Sequence, residues 1–582
     1  MNLTENALTI LKARYLLSNE APEDMLWRVA RAVAEAEDKD KEEWASRFYE
    51  LMASLRFLPN SPSLFNAGTN AGTLSACFVL PIEDSMQGIM HTATLSAMIQ
   101  KYGGGIGYSF SRLRSRGSAI ATTQGRACGA VGVLKMYSEL SNMITQGGKR
   151  HGANMGILNV THPEILDFIH MKDDDETAQN FNISVAVTDD FMSLTDDVEL
   201  VDPTSGPTGK KIFKEKLWKE IIESAWRTGD PGLYFIDIAN KTNPTPHLGI
   251  LESTNPCGEV PLLPYEACNL GSIALQRFVE DDKFNYSKLE ETVKLAVRFL
   301  DNVITVNKFP AQEITDAVNR TRKIGLGVMG FHDVLVLLNT PYYSQEALGW
   351  AKRTMAKIQE TALSTSIALA KERDSYPAYQ SGYFCRNATR TCIAPTGSIG
   401  AIAGCAALGI EPFFALAYKK NVLDGKQLSE FNPYLEQVLS KEKIELSPEE
   451  RRWIEETGSI RLLNRLPEWI RRLFAVANEI PLATHVEMQA AFQRHTDLAV
   501  SKTINMPNSA TVEDVDKAYK LAYELGCKGI TIYRDGSKSK QVLEVKARVI
   551  KGERAPLVIG ANDEVEQALG DKPKTVVAKE RP

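Results

Sequence analysis

The run Asn255-Pro256-Cys257-Gly258-Glu259 puts an amide, a thiol and a carboxylate within five residues, between a proline and a glycine that disfavour regular helix. On a turn or a short extended segment, residues 255, 257 and 259 can point to one side, since alternate side chains of an extended chain share a face. A thiol, a general base and a hydrogen-bonding amide would then meet one substrate. Taken alone, such a pentapeptide is in most sequences a surface loop with a buried cysteine. A second candidate is Ala394-Pro395-Thr396-Gly397-Ser398-Ile399-Gly400. Its small residues let successive backbone N–H groups converge on an anion, and Thr396 and Ser398 add hydroxyls; an ordinary helix cap reads equally well. Two glycine clusters read as tight turns. Gly103-Gly104-Gly105-Ile106-Gly107 lacks the dinucleotide-binding spacing, and in Gly147-Gly148-Lys149-Arg150 an arginine stands where a P-loop needs Ser or Thr.

Eight cysteines, at 77, 128, 257, 268, 385, 392, 405 and 527, contain no C-x-x-C pair, which excludes a zinc ribbon or a thioredoxin-type motif. They are too few for a disulfide scaffold and direct attention to reactive thiols in a reducing compartment. The 582 residues, 43% hydrophobic and 24% charged, describe a globular protein. The length matches about four ordinary domains, or one large α/β barrel with attachments. With 67 basic against 73 acidic residues, the net charge of −6 argues against a general nucleic-acid binder, though not against a basic pocket for a phosphorylated small molecule. No segment approaches the roughly 20 apolar residues that span a bilayer. The first residues show no basic region followed by an apolar core and a cleavage site. A cytoplasmic location, with no membrane and no nucleic-acid partner, is expected.

The elements that must position these residues follow from periodicity. Leu26, Val29, Ala30 and Val33, then Trp44, Phe48, Leu51 and Leu55, give amphipathic helices, ended by Pro59-Asn60-Ser61-Pro62; residues 1–60 read as a helical cap. From 61 to 540, short apolar runs (77–81, 182–187, 324–328, 529–533) alternate with helices (289–306, 345–373), the pattern of an α/β architecture. Residues 425–500 are charged and helical in character. Residues 541–582 lose periodicity and read as a partly disordered tail.

The pentapeptide resembles the finger-loop signature of ribonucleotide reductases, in the form typical of the adenosylcobalamin-dependent class II enzymes. Seven more segments look like family segments in family order: Pro62-Ser63-Leu64-Phe65-Asn66-Ala67-Gly68, Ala76-Cys77, 147–155, Phe181-Asn182-Ile183-Ser184-Val185, 394–400, 502–510 and Tyr533-Arg534-Asp535-Gly536. The resemblance covers roughly residues 5–540. It implies a ten-stranded α/β barrel of two parallel five-stranded halves around a finger loop, and reduction of ribonucleoside diphosphates, or triphosphates, to deoxyribonucleotides. By this resemblance Cys257 is the thiyl that abstracts the 3′-hydrogen, Glu259 the base for the 3′-hydroxyl, and Asn255 the amide that holds the sugar. Cys77 and Cys268 match the redox pair that ends as a disulfide. Ser61, Ala76, Cys77 and Gly105 match substrate-lining positions, as do Asn255, Pro256, Cys257, Gly258 and Glu259 for the sugar. Pro395, Thr396, Gly397, Ser398 and Ile399 match a diphosphate nest. Ala76 departs from relatives that carry a serine there.

The resemblance also implies an effector site at a homodimer interface, where a dNTP or ATP tunes substrate choice. Asp84 matches an effector-ribose ligand; Arg112, Arg114 and Ile120 lie on 112–124, which resembles the first specificity loop, and Lys149 stands just before, and Arg150 at the start of, 150–158, which resembles the second. The tyrosine pair that relays a radical from a partner subunit has no counterpart: Gly529 and Ile530 stand there. No glycyl-radical motif is present. Adenosylcobalamin is therefore the expected cofactor, with no metal ligands from the chain itself, since no Asp-x-His-x-x-Gly motif occurs. A reductase using a metal-containing partner subunit, and an inactive nucleotide-binding regulator, are the competing readings. No ATP-cone precedes the helical cap and no cysteine follows Cys527. The expectation is a shortened chain, the larger half of a split enzyme, or dependence on an external dithiol such as thioredoxin or a separate reducing chain.

Overall fold

In the N-terminal region three helices, Glu5–Arg14, Pro22–Ala34 and Lys41–Ala53, bury the stripe read from the sequence: Leu26, Val29, Ala30, Val33, Phe48 and Leu51. The second and third dock on the long helix Tyr286–Val306, where the Phe48 and Phe299 rings meet edge to face at 5.2 Å, and the first packs against Gly397–Ala403. The computed structural model describes residues 3–70, 72–146, 150–151, 153–174, 176–421, 427–537 and 543–544. The expected tail, 541–582, lies outside them except for Leu543–Glu544, whose backbone pairs with Ala417–Asn421. Among the described residues no helix is long and apolar enough to cross a membrane.

The core is a closed barrel. Strands Cys77–Leu80, Gly105–Ser109, Asn154–Asn159, Phe181–Val187 and Gly232–Phe235 lie side by side and parallel. A second parallel run begins with Ala267–Ala274 beside Ile324–Met329. It continues through residues 389–393, bridged on one side at Leu326–Thr391 and on the other at Ile393–Val500. It ends with Thr503–Met506 beside Gly529–Arg534. The central stretch is held by backbone bonds, Leu326 N to Arg390 O at 2.8 Å and Ser501 N to Ile393 O at 2.8 Å. The two runs meet antiparallel at both edges, Cys77 opposite Cys268 and Leu233 opposite Ile530, so the sheet has no free edge at either seam. This is the ten-stranded barrel of two parallel halves that the resemblance implied. Phe57–Pro59 is an additional strand on the outer part of Ala267–Ala274.

Helices between the strands cover the outside, and both faces of the parallel strands are buried, which is why the strand segments are near-continuously apolar. The charged stretch forms helices Pro433–Lys441, Pro448–Thr457 and Glu468–Leu473 around a separate core of Leu435, Ile454, Ile470 and Phe474, followed by the buried helix Leu482–Gln493.

One glycine cluster corrects its reading as a tight turn. Gly103 does turn, at φ +92°, but Gly105–Ser109 is a barrel strand. A Cβ at Gly107 would lie 1.8 Å from the Thr254 carbonyl oxygen, and one at Gly105 would lie 2.9 Å from Pro256 Cγ. These alternate positions are bare because another segment crosses the barrel interior against them.

Candidate active site at the finger loop

That crossing segment is a short hairpin, Ser253–Thr254 paired antiparallel with Pro261–Leu262, whose tip is the Asn255-to-Glu259 pentapeptide. The tip is a turn: Gly258 N–H donates to Asn255 O at 3.0 Å, proline at the second position presets φ, and Gly258 has φ +85°. Asn255 Oδ1 accepts from Val260 N at 2.9 Å and from Thr254 Oγ1 at 3.1 Å. Both barrel halves brace the loop. Asn182 Nδ2 donates to Pro256 O at 2.7 Å from one, and Ala499 N donates to Glu259 O at 2.8 Å from the other.

The braced amide reaches a thiol, with Asn255 Nδ2 3.2 Å from Cys77 Sγ. Cys77 lies directly opposite Cys268 across the antiparallel seam. Such partners have Cα atoms about 4.5–5.5 Å apart, inside the roughly 4.4–6.8 Å span of a disulfide. Both are free and buried. Burial pushes the Cys77 thiol well up, and the Glu259 carboxylate adds to the effect. Burial also pushes Cys268 up, partly offset by the Lys323 ammonium. Lys323 Nζ is itself locked 2.6 Å from Glu266 Oε2, and Cys268 Sγ lies 3.6 Å from the Lys323 carbonyl oxygen. Both thiols therefore keep their protons at neutral pH, as a store of hydrogen must. Cys257 is half-buried, and Glu259 is buried.

A cavity of about 540 Å³ opens on Cys257. Asn182, Pro256, Gly258, Gln489, Gly529 and Ile530 are among the residues that line it. Pro395 also lines it, at the start of the candidate nest. Thr396 has φ +52° and uses its Oγ1 to accept Gly409 N at 2.8 Å, so its oxygen also fastens the following loop. The open first turn of Gly397–Ala403 follows, with empty space over Gly397. The N-terminal helix reaches this region: Arg14 Nη1 lies 3.5 Å from Ser398 Oγ, and Tyr15 OH 2.8 Å from Ser61 Oγ. Ile399 is buried in the same turn, and Ala76 O accepts Gly105 N at 2.8 Å beside Cys77.

The candidate effector residues gather elsewhere. Asp84 Oδ2 accepts Arg114 Nε at 2.7 Å and Thr204 Oγ1 at 3.0 Å. Arg112 Nε donates to Glu252 Oε2 at 3.0 Å, tying this loop to the base of the finger hairpin. Ile120 sits in a small hairpin closed by the Ala119–Arg126 bridge. Lys149 lies outside the described residues, and Arg150 is described in its backbone alone, paired with Gln146.

Several neighbours escaped the sequence reading. Cys392, read there as a small buried hydrophobe, is buried but shares a cluster with Cys77 and Cys268. Burial, and after it the Glu259 carboxylate, push its thiol well up. Lys502 is buried, with its Nζ 2.6 Å from Glu411 Oε2 and 3.0 Å from His485 Nδ1. His485 Nε2 lies 3.0 Å from Ala477 O, which fixes the tautomer: Nε2 donates to the carbonyl and Nδ1 accepts from the ammonium. A lysine or glutamine gives no sign in sequence of whether it is solvated or buried.

The model of the ribonucleotide reductase barrel domain matches residues 75–385 and 380–533, and that of the ribonucleotide reductase all-alpha domain matches residues 1–72. The chain belongs to the ribonucleotide reductase large-chain family. It is 49% identical over 511 residues to a vitamin B12-dependent ribonucleoside-diphosphate reductase of Thermoplasma acidophilum, covering 86% of this chain and 66% of that one. It is 44% identical over 566 residues to a protein of the same name from Mycobacterium tuberculosis H37Rv, covering 94% and 80%. The chain thus spans about two thirds and four fifths of these reductases. A solved structure, the Actinobacillus ureae class Id ribonucleotide reductase alpha subunit, superposes with TM-score 0.78 at 26% identity, over 91% of this chain and 97% of that reductase.

Proposed function

We propose that the chain reduces ribonucleoside diphosphates to 2′-deoxyribonucleotides by thiyl-radical chemistry, as a class II enzyme that uses adenosylcobalamin. The observation that carries the class assignment is the composition of the cavity that Cys257 lines. Gly529 and Ile530 stand at the tyrosine-relay positions, and both line an open cavity that reaches the thiol. A glycine and an isoleucine cannot pass a radical from a partner subunit, whereas they leave room for a bulky group beside the thiol. The residues fit such a group: the cavity offers apolar surface from Met155, Leu233 and Ile532, and a buried acceptor, Gln489 Oε1, that has no donor among the described residues. Held there by Met155, Leu233, Ile532 and Gln489, adenosylcobalamin would supply the radical that makes Cys257 a thiyl. Relatives named vitamin B12-dependent support the same reading.

The chain's own residues do the rest. As a thiyl, Cys257 takes the 3′-hydrogen, and Glu259 takes the 3′-hydroxyl proton. A radical at C3′ makes loss of the 2′-oxygen easy, and the Cys77 thiol protonates it as water leaves. Cys77 and Cys268 together give two electrons and two protons and end as a disulfide. Cys257 then returns its hydrogen to C3′ and is a thiyl again. Asn255, braced through Val260 and Thr254, orients the sugar hydroxyls while touching Cys77. Pro395, Thr396, Gly397, Ser398 and Ile399 hold the diphosphate, and Ser61, Ala76 and Gly105 line the rest of the substrate's bed.

Specificity control by a dNTP or ATP at Asp84, Arg112, Arg114 and Ile120 belongs to the same proposal, with Arg112–Glu252 as a tie to the finger loop. The helices Met86–Lys101 and Gly129–Met143 expose Met86, Met90, Met98, Met136 and Met143, an apolar face suited to a homodimer. Residues 1–60 serve as the cap and 61–540 as the catalytic unit, in the cytoplasm, where an external dithiol such as thioredoxin, or a separate reducing chain, keeps the thiols reduced.

The test is anaerobic incubation with CDP, a dithiol and a deoxynucleotide effector. dCDP formed only when adenosylcobalamin is added supports the class II assignment. Turnover that needs a metal-containing partner protein instead would overturn it.

A further inference from the structure

We propose that Gln489 is a cofactor-recognition residue: its side-chain oxygen accepts an N–H donor of the molecule that generates the Cys257 radical. The inference rests on the cobalamin reading above and assigns a residue to it.

Gln489 lies on the helix Leu482–Gln493, whose residues are buried on nearly every side. Its side chain is 1% exposed, and it lines the cavity that opens on Cys257. Nε2 donates to the Gly529 carbonyl oxygen at 2.8 Å, so the amide orientation is set, because the carbonyl requires a donor. Among the described residues Oε1 is then left buried with no donor. A buried acceptor without a donor costs about 1–3 kcal/mol, so such atoms persist where a ligand completes them. The neighbouring polar group does not complete it. Lys502 also lines the cavity, but its three N–H groups go to Glu411 Oε2, His485 Nδ1 and, at 3.3 Å, Thr503 O.

The position of this acceptor narrows the occupant. It is fastened to Gly529, at a position proposed to leave room for the radical generator, and both residues line the cavity that Cys257 also lines. An N–H donor is what the cofactor carries in two places, the amide side chains at the edge of the corrin and the amino group of adenine. Either would complete Oε1.

The test uses the full chain under anaerobic conditions, with equilibrium dialysis against two probes. Hydroxocobalamin carries the corrin amides and no adenosyl group; 5′-deoxyadenosine carries the adenine and no corrin. The variant Gln489→Met keeps the length of the side chain and removes the acceptor. It is expected to weaken one probe about tenfold, the cost of one buried hydrogen bond, and the probe that weakens names the donor. Unchanged CDP affinity and an unchanged melting curve show that each variant is folded. If the parent chain binds a probe and Gln489→Met binds both as tightly, Gln489 has no such role. If the parent chain binds neither, the cobalamin reading itself fails. Should Gln489→Met not fold, Gln489→Asn, which keeps the amide and shortens its reach by one carbon, is expected to weaken the same probe, and binding of both probes by Gln489→Asn as tightly as by the parent chain contradicts the assignment.

Discussion

Cys77 and Cys268 hold their protons because both are buried at the seam between the barrel halves, and the fold sets them directly opposite each other. That pairing could be named from the resemblance, but nothing in the spacing of the two cysteines says that they share a seam. The Asn255, Cys257 and Glu259 constellation was legible because the proline and glycine around it announce a turn. Lys323, Gln489 and Cys392 were not, because burial of a lysine, a glutamine or a lone cysteine depends on the fold around it. Gly107 stands between these cases: its glycine is visible, and its reason is not. A side chain there would overlap the Thr254 carbonyl, so Gly107→Ala is expected to push the finger hairpin out of place. A loss of about 2–3 kcal/mol in stability, with dCDP formation lost even where the variant is folded, is the expected outcome in denaturation and turnover assays. Wild-type turnover by Gly107→Ala would mean that the hairpin does not depend on this close approach.

At the scale of elements, the periodicity located the helices 289–306 and 345–373 and four of the strands to within a few residues, because long apolar stripes and buried strands leave strong patterns. Residues 389–393 escaped, since a barrel strand this short carries no period of its own. The N-terminal helix, expected only to pack, also reaches the nest through Arg14. Arg14→Gln is expected to weaken CDP about threefold to tenfold, the range for a partly solvated charged hydrogen bond, and to leave cytidine, which has no phosphate, unaffected; equal effects on both would remove Arg14 from phosphate binding. Behind the nest, the helix Phe331–Leu337 carries Asp333, whose carboxylate oxygens accept Ala406 N at 2.9 Å and Ala407 N at 2.8 Å. Burial pushes this carboxyl up to about 7, against an ordinary value of 3.8. Between those values the folded chain holds a proton that the unfolded chain has released, so Asp333 stabilises the fold at low pH and loses that contribution as pH rises. Thermal melts should show the parent chain losing stability relative to Asp333→Asn from about pH 4 to about pH 7 and levelling off above, as the two carboxyl values require. A constant difference across that range would place the Asp333 proton elsewhere.

For the whole molecule, the two-half barrel explains why residues so far apart in sequence form one site. The seam brings Cys77 to Cys268, and the hairpin crosses from the Asn182 half to the Ala499 half, carrying Asn255, Cys257 and Glu259 into the middle. Bonds from both halves hold that crossing in place, the positioning that the proposed radical transfer at Cys257 requires. Composition could point to a large α/β protein, but only collinear motifs distinguished this barrel from several smaller domains. The most direct measurement is a single turnover: the pre-reduced chain with adenosylcobalamin, an effector and CDP, with no external dithiol, followed by peptide mapping of its cysteines. About one dCDP per active chain, matched by a new Cys77–Cys268 disulfide and abolished in Cys257→Ser, is the expected result. Deoxynucleotide formed by Cys257→Ser, or formed while Cys77 and Cys268 both stay as thiols, would contradict it.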